Sequence, residues 1–241
     1  MAETLLSLAG VHTHIGHYHI LQGVDFLVPR GELTMLLGRN GAGKTTTLRT
    51  ILGLWRASSG VIQFEKEEIT HRDTPAIANM GIAYVPESMG IFSGLTVKEN
   101  FLLAASKGAP DEARLEWILG FFPALKKFWF LPAGLLSGGQ KQMLSVSRAI
   151  IEPRKLVLID EPTKGLAPSI INNLIEALGE LKRTDTTILM VEQNFHAARA
   201  LGDSVVVMDS GRIVHSGRMA ELAADQALQT RLLGLSLDVH Q

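Results

Sequence analysis

The chain has 241 residues, 46% hydrophobic and 20% charged, which suits a globular protein with a sizeable core. Its net charge of −1 argues against a broad basic face, so no nucleic-acid partner is expected. The lack of cysteine excludes disulfides and thiolate catalysis and is compatible with a cytosolic location.

The start, Met1–Leu6, lacks a basic cluster and a long apolar stretch, so no secretory signal is read. No apolar run reaches bilayer length, and work at a membrane would need other chains to supply the membrane part. Leu5–Val11 and Leu21–Val28 alternate around a polar turn and predict an antiparallel hairpin. His12, His14, His17 and His19 lie there, the first two on one strand face and the last two on another. No acidic or thiolate partner accompanies them, which favours a solvated hairpin over a metal site. Leu33–Leu37 is a short, continuous apolar run of the kind buried on both faces of a sheet. The stretch Gly38, Arg39, Asn40, Gly41, Ala42, Gly43, Lys44, Thr45 follows it with phosphate-loop spacing, and Thr45–Leu52 reads as a helix. Strand, glycine loop and helix start together form an anion site, because bare glycines let amides approach an oxyanion and the helix dipole adds positive potential. Lys44 would reach β- and γ-phosphates, and the Thr45 hydroxyl would ligate Mg²⁺; the competing reading is a glycine turn that binds nothing. Val61–Phe64 predicts an edge strand after a turn at Ser58–Gly60, Glu65–Glu68 an exposed edge, and Ile82–Val85 another buried strand.

Residues 87–147 show no convincing buried strand and carry helical patterns over Val97–Ala105 and Glu112–Phe121. Met89, Ile91, Phe92, Phe121, Phe122, Phe128, Trp129 and Phe130 are either the small core of this helical insert or contacts for a partner. Ser137, Gly138, Gly139 and Gln140 open a helix running to Ile150. A hydroxyl and bare glycines there make a second anion site without a lysine, and an ordinary serine cap explains them as well. The Leu156–Ile159 strand ends in Asp160 and Glu161. Strand alternation lets Asp160 face a Mg²⁺ region and Glu161 an attacking water; two solvated acids are the alternative. A helix over Ile170–Leu181, strands at Ile188–Val191 and Val205–Met208, a hairpin turn at Asp209–Gly211 and one helix after Ala220 complete the chain. The fold class is α/β, doubly wound around a mainly parallel sheet.

These segments resemble the nucleotide-binding subunit of an ABC transporter over nearly the whole chain. Gly38–Thr45 matches Walker A, Leu136–Gln140 the LSGGQ signature, Leu156–Glu161 Walker B, and Pro162–Ala167 the D-loop. The resemblance implies one ATPase domain over 1–241: a P-loop core with an antiparallel β part at about 1–86 and 148–225, a helical subdomain at about 87–147, and a C-terminal helix and tail at about 220–241. It implies ATP and Mg²⁺ as cofactors, with Thr45, Glu87 and Asp160 at the metal and Lys44, Glu161 and Gln193 in catalysis. Two ATPase subunits, alike or related, would pair head to tail. Each ATP would then lie between Gly38–Thr46 of one and Ser137, Gly138, Gly139 and Gln140 of the other. Integral-membrane permease subunits would be partners, a solute-binding protein only an indirect one, and the location the cytoplasmic face of the inner membrane.

Three positions depart from the commonest family pattern. Glu87 stands for a glutamine, Gln193 for the switch histidine, and Ile15 for the aromatic that stacks on adenine, where Tyr18 or His14 could swing in. Gln193 can donate a hydrogen bond but cannot carry a charge or relay a proton as imidazole does. Val85-Pro-Glu87, Val191-Glu-Gln193-Asn and Gly165-Leu-Ala-Pro168 resemble one branch, the ATPase subunits of importers for branched-chain amino acids and related amides such as urea. The competing classes are a soluble ABC-type ATP switch, disfavoured by the lack of a heptad run or a second motif set, and a phosphate-loop kinase, disfavoured by the Leu136–Gln140 segment.

Overall fold

The computed structural model describes residues 3–106 and 108–234. A hairpin of β1 (Thr4–Ile15) and β2 (Tyr18–Pro29) leads to β3 (Leu33–Leu37) and α1 (Lys44–Ile51). Then come β4 (Ala57–Phe64), β5 (Glu67–Glu68), α2 (Thr74–Asn79) and β6 (Ile82–Val85). The insert holds α3 (Val97–Ala104), α4 (Glu112–Phe121), α5 (Pro123–Lys127), a 3₁₀ turn (Ala133–Leu135) and α6 (Gly138–Ala149). The chain returns through β7 (Leu156–Asp160), α7 (Pro168–Lys182), β8 (Thr187–Val191) and α8 (Phe195–Leu201). It then adds β9 (Ser204–Asp209), β10 (Arg212–Arg218), α9 (Met219–Ala224) and α10 (Gln226–Leu233).

The six-stranded sheet runs β10-β9-β3-β8-β7-β6, parallel throughout except for β10 on β9. Every residue of β3, β7 and β8 is buried, and alternate residues serve two different cores. Met35, Val157, Ile159, Met190 and Val207 pack with the insert and α7. Leu36, Leu158, Leu189, Val191 and Val206 pack with α1 and the four-stranded antiparallel sheet β2-β1-β4-β5. Both faces are covered, so the apolar runs are continuous rather than alternating.

Two predicted elements differ. Val61–Phe64 belongs to a longer strand that includes Ser58–Gly60 and lies between β1 and β5, so it is neither preceded by a turn nor at the sheet edge. Gly60 permits this: a Cβ there would lie 2.2 Å from the Gly10 carbonyl oxygen, where β1 bulges. The segment after Ala220 is two helices, because Asp225 breaks the run and its carboxylate accepts the Leu228 amide to cap α10. Capping fixes the insert too. Thr96 and Glu99 form a capping box on α3, and buried Asn100 bonds the backbone of Phe92, Leu95 and Thr96.

The insert's aromatics divide. Phe122 is 1% exposed, and Phe121, Phe128 and Trp129 pack against the core, whereas Phe130 is 74% exposed and Phe92 48%. Phe122→Ala is expected to lower stability by about 3–5 kcal/mol and Phe130→Ala by less than about 0.5, read from denaturant midpoints.

Candidate functional site

Parallel pairing aligns Leu36 and Asp160 with Val191, so the loops after β3, β7 and β8 leave one edge of the sheet together. Two glycines shape the loop after β3. A Cβ on Gly38 would lie 2.2 Å from the Met208 carbonyl oxygen, and Gly43 caps α1 at φ 108. Helix α1 begins without a side-chain cap, which leaves its first amides for an outside acceptor. The Lys44 side chain is 4% exposed and donates to the carbonyls of Gly38 (2.9 Å) and Arg39 (3.0 Å). Burial pulls its ammonium down from the ordinary lysine value, against the attraction of Glu161 and Asp160.

Asp160 ends β7 and is fully buried. Its Oδ1 accepts from the Thr45 hydroxyl at 3.1 Å and its Oδ2 from Tyr84 at 3.3 Å. Burial pushes the carboxyl above its ordinary value despite those bonds, and burial with the Asp160 charge pushes the Tyr84 phenol up to about 12. Glu161 parts from Asp160 not by strand alternation, as expected, but because the strand has ended. Its φ of 47° is left-handed, and its amide donates to the Val191 carbonyl. Its carboxylate lies 3.8 Å from the Lys44 ammonium and accepts from Gln193 Nε2 at 2.5 Å; the same Nε2 donates to Asn40 Oδ1 at 2.7 Å. Four residues chosen from three separate motifs thus touch one another.

A cavity of about 330 Å³ lies here, lined by Ile20, Asn40, Gly41, Gly43, Lys44, Thr45, Thr46, Glu87, Glu161 and Lys164. Glu87 does not touch the Thr45–Asp160 pair; it bonds Lys164 at 2.6 Å. Ile15 does not line the cavity. It is half-buried opposite Tyr18 at the hairpin end, and Ile20 takes the wall. Tyr18 is 76% exposed and His14 stacks on His19, centroids 4.2 Å apart. His12 hydrogen-bonds His19 at 2.9 Å, and among the described residues no group of three or more His, Cys, Asp or Glu could hold a metal. Ser137–Gln140 stand away from the cavity. Ser137 and Gln140 form a capping box on α6; a Cβ on Gly138 would meet open space, and one on Gly139 would press on Ile170 at 3.0 Å. Sequence reasoning missed Tyr84 and Ile20, hidden in apolar strands, and Lys164, an unremarkable loop lysine whose position depends on the turn after Glu161.

A profile of the family described as ABC transporter matches residues 21–164. The high-affinity branched-chain amino acid transport ATP-binding protein BraG of Pseudomonas aeruginosa is 38% identical over 232 residues, covering 95% of this chain and 100% of that protein. The probable branched-chain amino acid transport ATP-binding protein LivF of Archaeoglobus fulgidus is 34% identical, covering 90% and 93%. The crystal structure of a nucleotide-free ATP-binding cassette from an ABC transporter superposes with a TM-score of 0.82 at 26% identity, covering 97% of this chain and 100% of that one. The ADP conformation of such a cassette gives 0.81, also at 26% identity and with the same coverage. The phosphate loop, the Asp160–Glu161 turn and these likenesses agree, and the chain belongs to the ABC transporter family as an ATP-binding cassette that couples ATP hydrolysis to transport.

Proposed function

We propose that the chain powers an importer for branched-chain amino acids or related amides, docked on integral-membrane permease subunits at the cytoplasmic face of the inner membrane. BraG and LivF, the relatives above, carry branched-chain amino acid transport names. Among the described residues no helix is long and apolar enough to cross a membrane. The observation that carries the ATPase site is the contact of Lys44, Glu161, Gln193 and Asn40 around one cavity beside the Thr45–Asp160 pair.

The triphosphate fits this cradle: a Gly38 that admits no Cβ, a Gly43 at positive φ, uncapped amides of Gly43, Lys44, Thr45 and Thr46, and a buried ammonium held by carbonyls and a carboxylate. Thr45 Oγ1 and Asp160 Oδ1 are hard oxygen donors suited to Mg²⁺, with Glu87 on the same cavity wall. That ion, when bound, supplies neutralisation of charge on the phosphate oxygens. Lys44 and the loop amides stabilise charge developing on the phosphoryl group. Glu161 orients the attacking water and takes up its proton at the carboxylate, and Gln193 fixes that carboxylate against Asn40. Ser137, Gly138, Gly139 and Gln140 do not line the chain's own cavity, so they serve the nucleotide of a second ATPase subunit placed head to tail, alike or related. Solute is bound elsewhere, by permease and binding protein.

Glu161→Gln is expected to lower steady-state ATPase by about 10²–10⁴-fold while ATP binding persists. Near-normal turnover removes Glu161 from this role. Lys44→Ala should weaken ATP binding about tenfold or more, read by equilibrium titration. Purification in detergent should bring permease subunits with the chain; a chain that never carries them speaks for a soluble switch.

Asp160 gives a pH prediction. Its folded pKa is raised, so its contribution to stability is present below the unfolded value, about 4, and is lost as pH rises through the folded one. Asp160→Asn should therefore raise the Tm of the nucleotide-free chain at pH 7, with the gain fading as pH falls toward about 4. The same variant should lose Mg²⁺-dependent hydrolysis. A lowered Tm at pH 7 contradicts the account of the buried charge.

A further inference from the structure

Lys164 stands on the turn after Glu161, and that turn is rigid. The Lys164 amide donates to the Glu161 carbonyl at 3.2 Å, the Thr163 amide donates to buried Glu192 at 3.1 Å, and Gly165 takes φ 71°. The side chain is 59% exposed and lines the cavity that Lys44 lines. It lies 2.6 Å from Glu87 Oε1 and 3.5 Å from Glu161 Oε2, while Lys44 lies 3.8 Å from Glu161 Oε1. Two lysines therefore flank one carboxylate, one at each oxygen.

The cavity's charges explain why a second cation is useful. Glu87 and Glu161 line the cavity and Asp160 lies beside Thr45, so three carboxylates face the one ammonium of Lys44 at a place meant for an anion. Glu87 is held by Lys164 rather than beside Thr45 and Asp160. Glu87 Oε1 accepts from Lys164, so a Glu87 that turns toward the Thr45–Asp160 pair gives up that bond. Lys164 then keeps the longer contact to Glu161 Oε2, and a terminal phosphate offers a further anion in the cavity that it lines.

We propose that Lys164 is a further phosphate-binding residue of this site, able to exchange its ion pair with Glu87 for one with the terminal phosphate of bound triphosphate. In both states each charge keeps a partner, so the exchange avoids the cost of an isolated ion near the protein interior. Since the proposed site sets Glu161 at the terminal phosphate, a lysine at its second oxygen is expected to favour triphosphate over diphosphate, whereas Lys44 serves both. This inference rests on the nucleotide site proposed above.

The test is equilibrium binding of Mg²⁺–AMPPNP and Mg²⁺–ADP to the purified full chain and its variants. Lys164→Met is expected to weaken AMPPNP about tenfold and ADP less than about threefold, while Lys164→Arg stays within about threefold of the parent for both. Lys44→Ala should weaken both nucleotides. Equal AMPPNP affinity in Lys164→Met and the parent overturns the inference, as does an equal loss for both nucleotides. If the parent binds neither nucleotide, or Lys44→Ala binds both as well as the parent does, the nucleotide site itself has failed. A Tm for Lys164→Met within about 2 °C of the parent shows that the loss is local, as expected for an exposed side chain.

Discussion

The site depends on one buried carboxylate that touches no nucleotide position. Glu192 is 2% exposed, yet it accepts three backbone amides: Thr163 on Oε1 at 3.1 Å, and Gln193 and Asn194 on Oε2 at 3.0 Å each. The first amide belongs to the turn carrying Glu161 and Lys164, and the other two to the turn carrying Gln193. Burial pushes the carboxyl above its ordinary value, and the amides pull it back. A buried charge without such partners would be costly, so the geometry of both turns is tied to keeping them. The Gln193–Glu161 hydrogen bond of 2.5 Å is possible because the two loops share this anchor.

The anchor works because the sheet beneath it is rigid. Strands β3, β7 and β8 are covered on both sides, so a shift by one residue would exchange two sets of core side chains that differ in shape and in the helices they meet. Register is thereby fixed, and with it the alignment of Leu36, Asp160 and Val191 at the edge where the loops emerge. Gly38 extends the same constraint sideways, since its close approach to Met208 presses the phosphate loop against β9.

Much of this was legible in the chain. Continuous apolar runs predicted five of the six main-sheet strands nearly to the residue, because burial on both faces leaves no ambiguity about pattern. The phosphate loop, Asp160, Glu161 and Gln193 are named by local order, and the structure brings them together. Where the reading went astray, the deciding contact was distant. Ser58–Gly60 has turn composition, but the bulge at Gly10 draws it into a strand. Asp225 sits within a helical pattern, but its carboxylate does better capping the next helix. Ile15 and Ile20 are equally apolar, and only the hairpin's register decides which one walls the cavity. Lys164 and Glu192 fall inside the D-loop and Val191–Asn194 matches, but those matches gave neither residue a role, since their contacts arise from turns that bring separate strand ends together.

Gln193 shows how electrostatics and geometry are divided in this site. An imidazole there would titrate near pH 6.5 and could compensate Glu161 with a charge. An amide cannot, but its single nitrogen bridges Asn40 of the phosphate loop and Glu161 at any pH. Positioning of Glu161 is therefore constant, and compensation of its charge falls to the lysines at its two oxygens, one buried and one exposed. The buried one is fixed by two carbonyls and cannot follow a moving charge. The outer lysine is exposed and held by side-chain carboxylates alone, so of the two it is the one whose partner can change without moving the backbone.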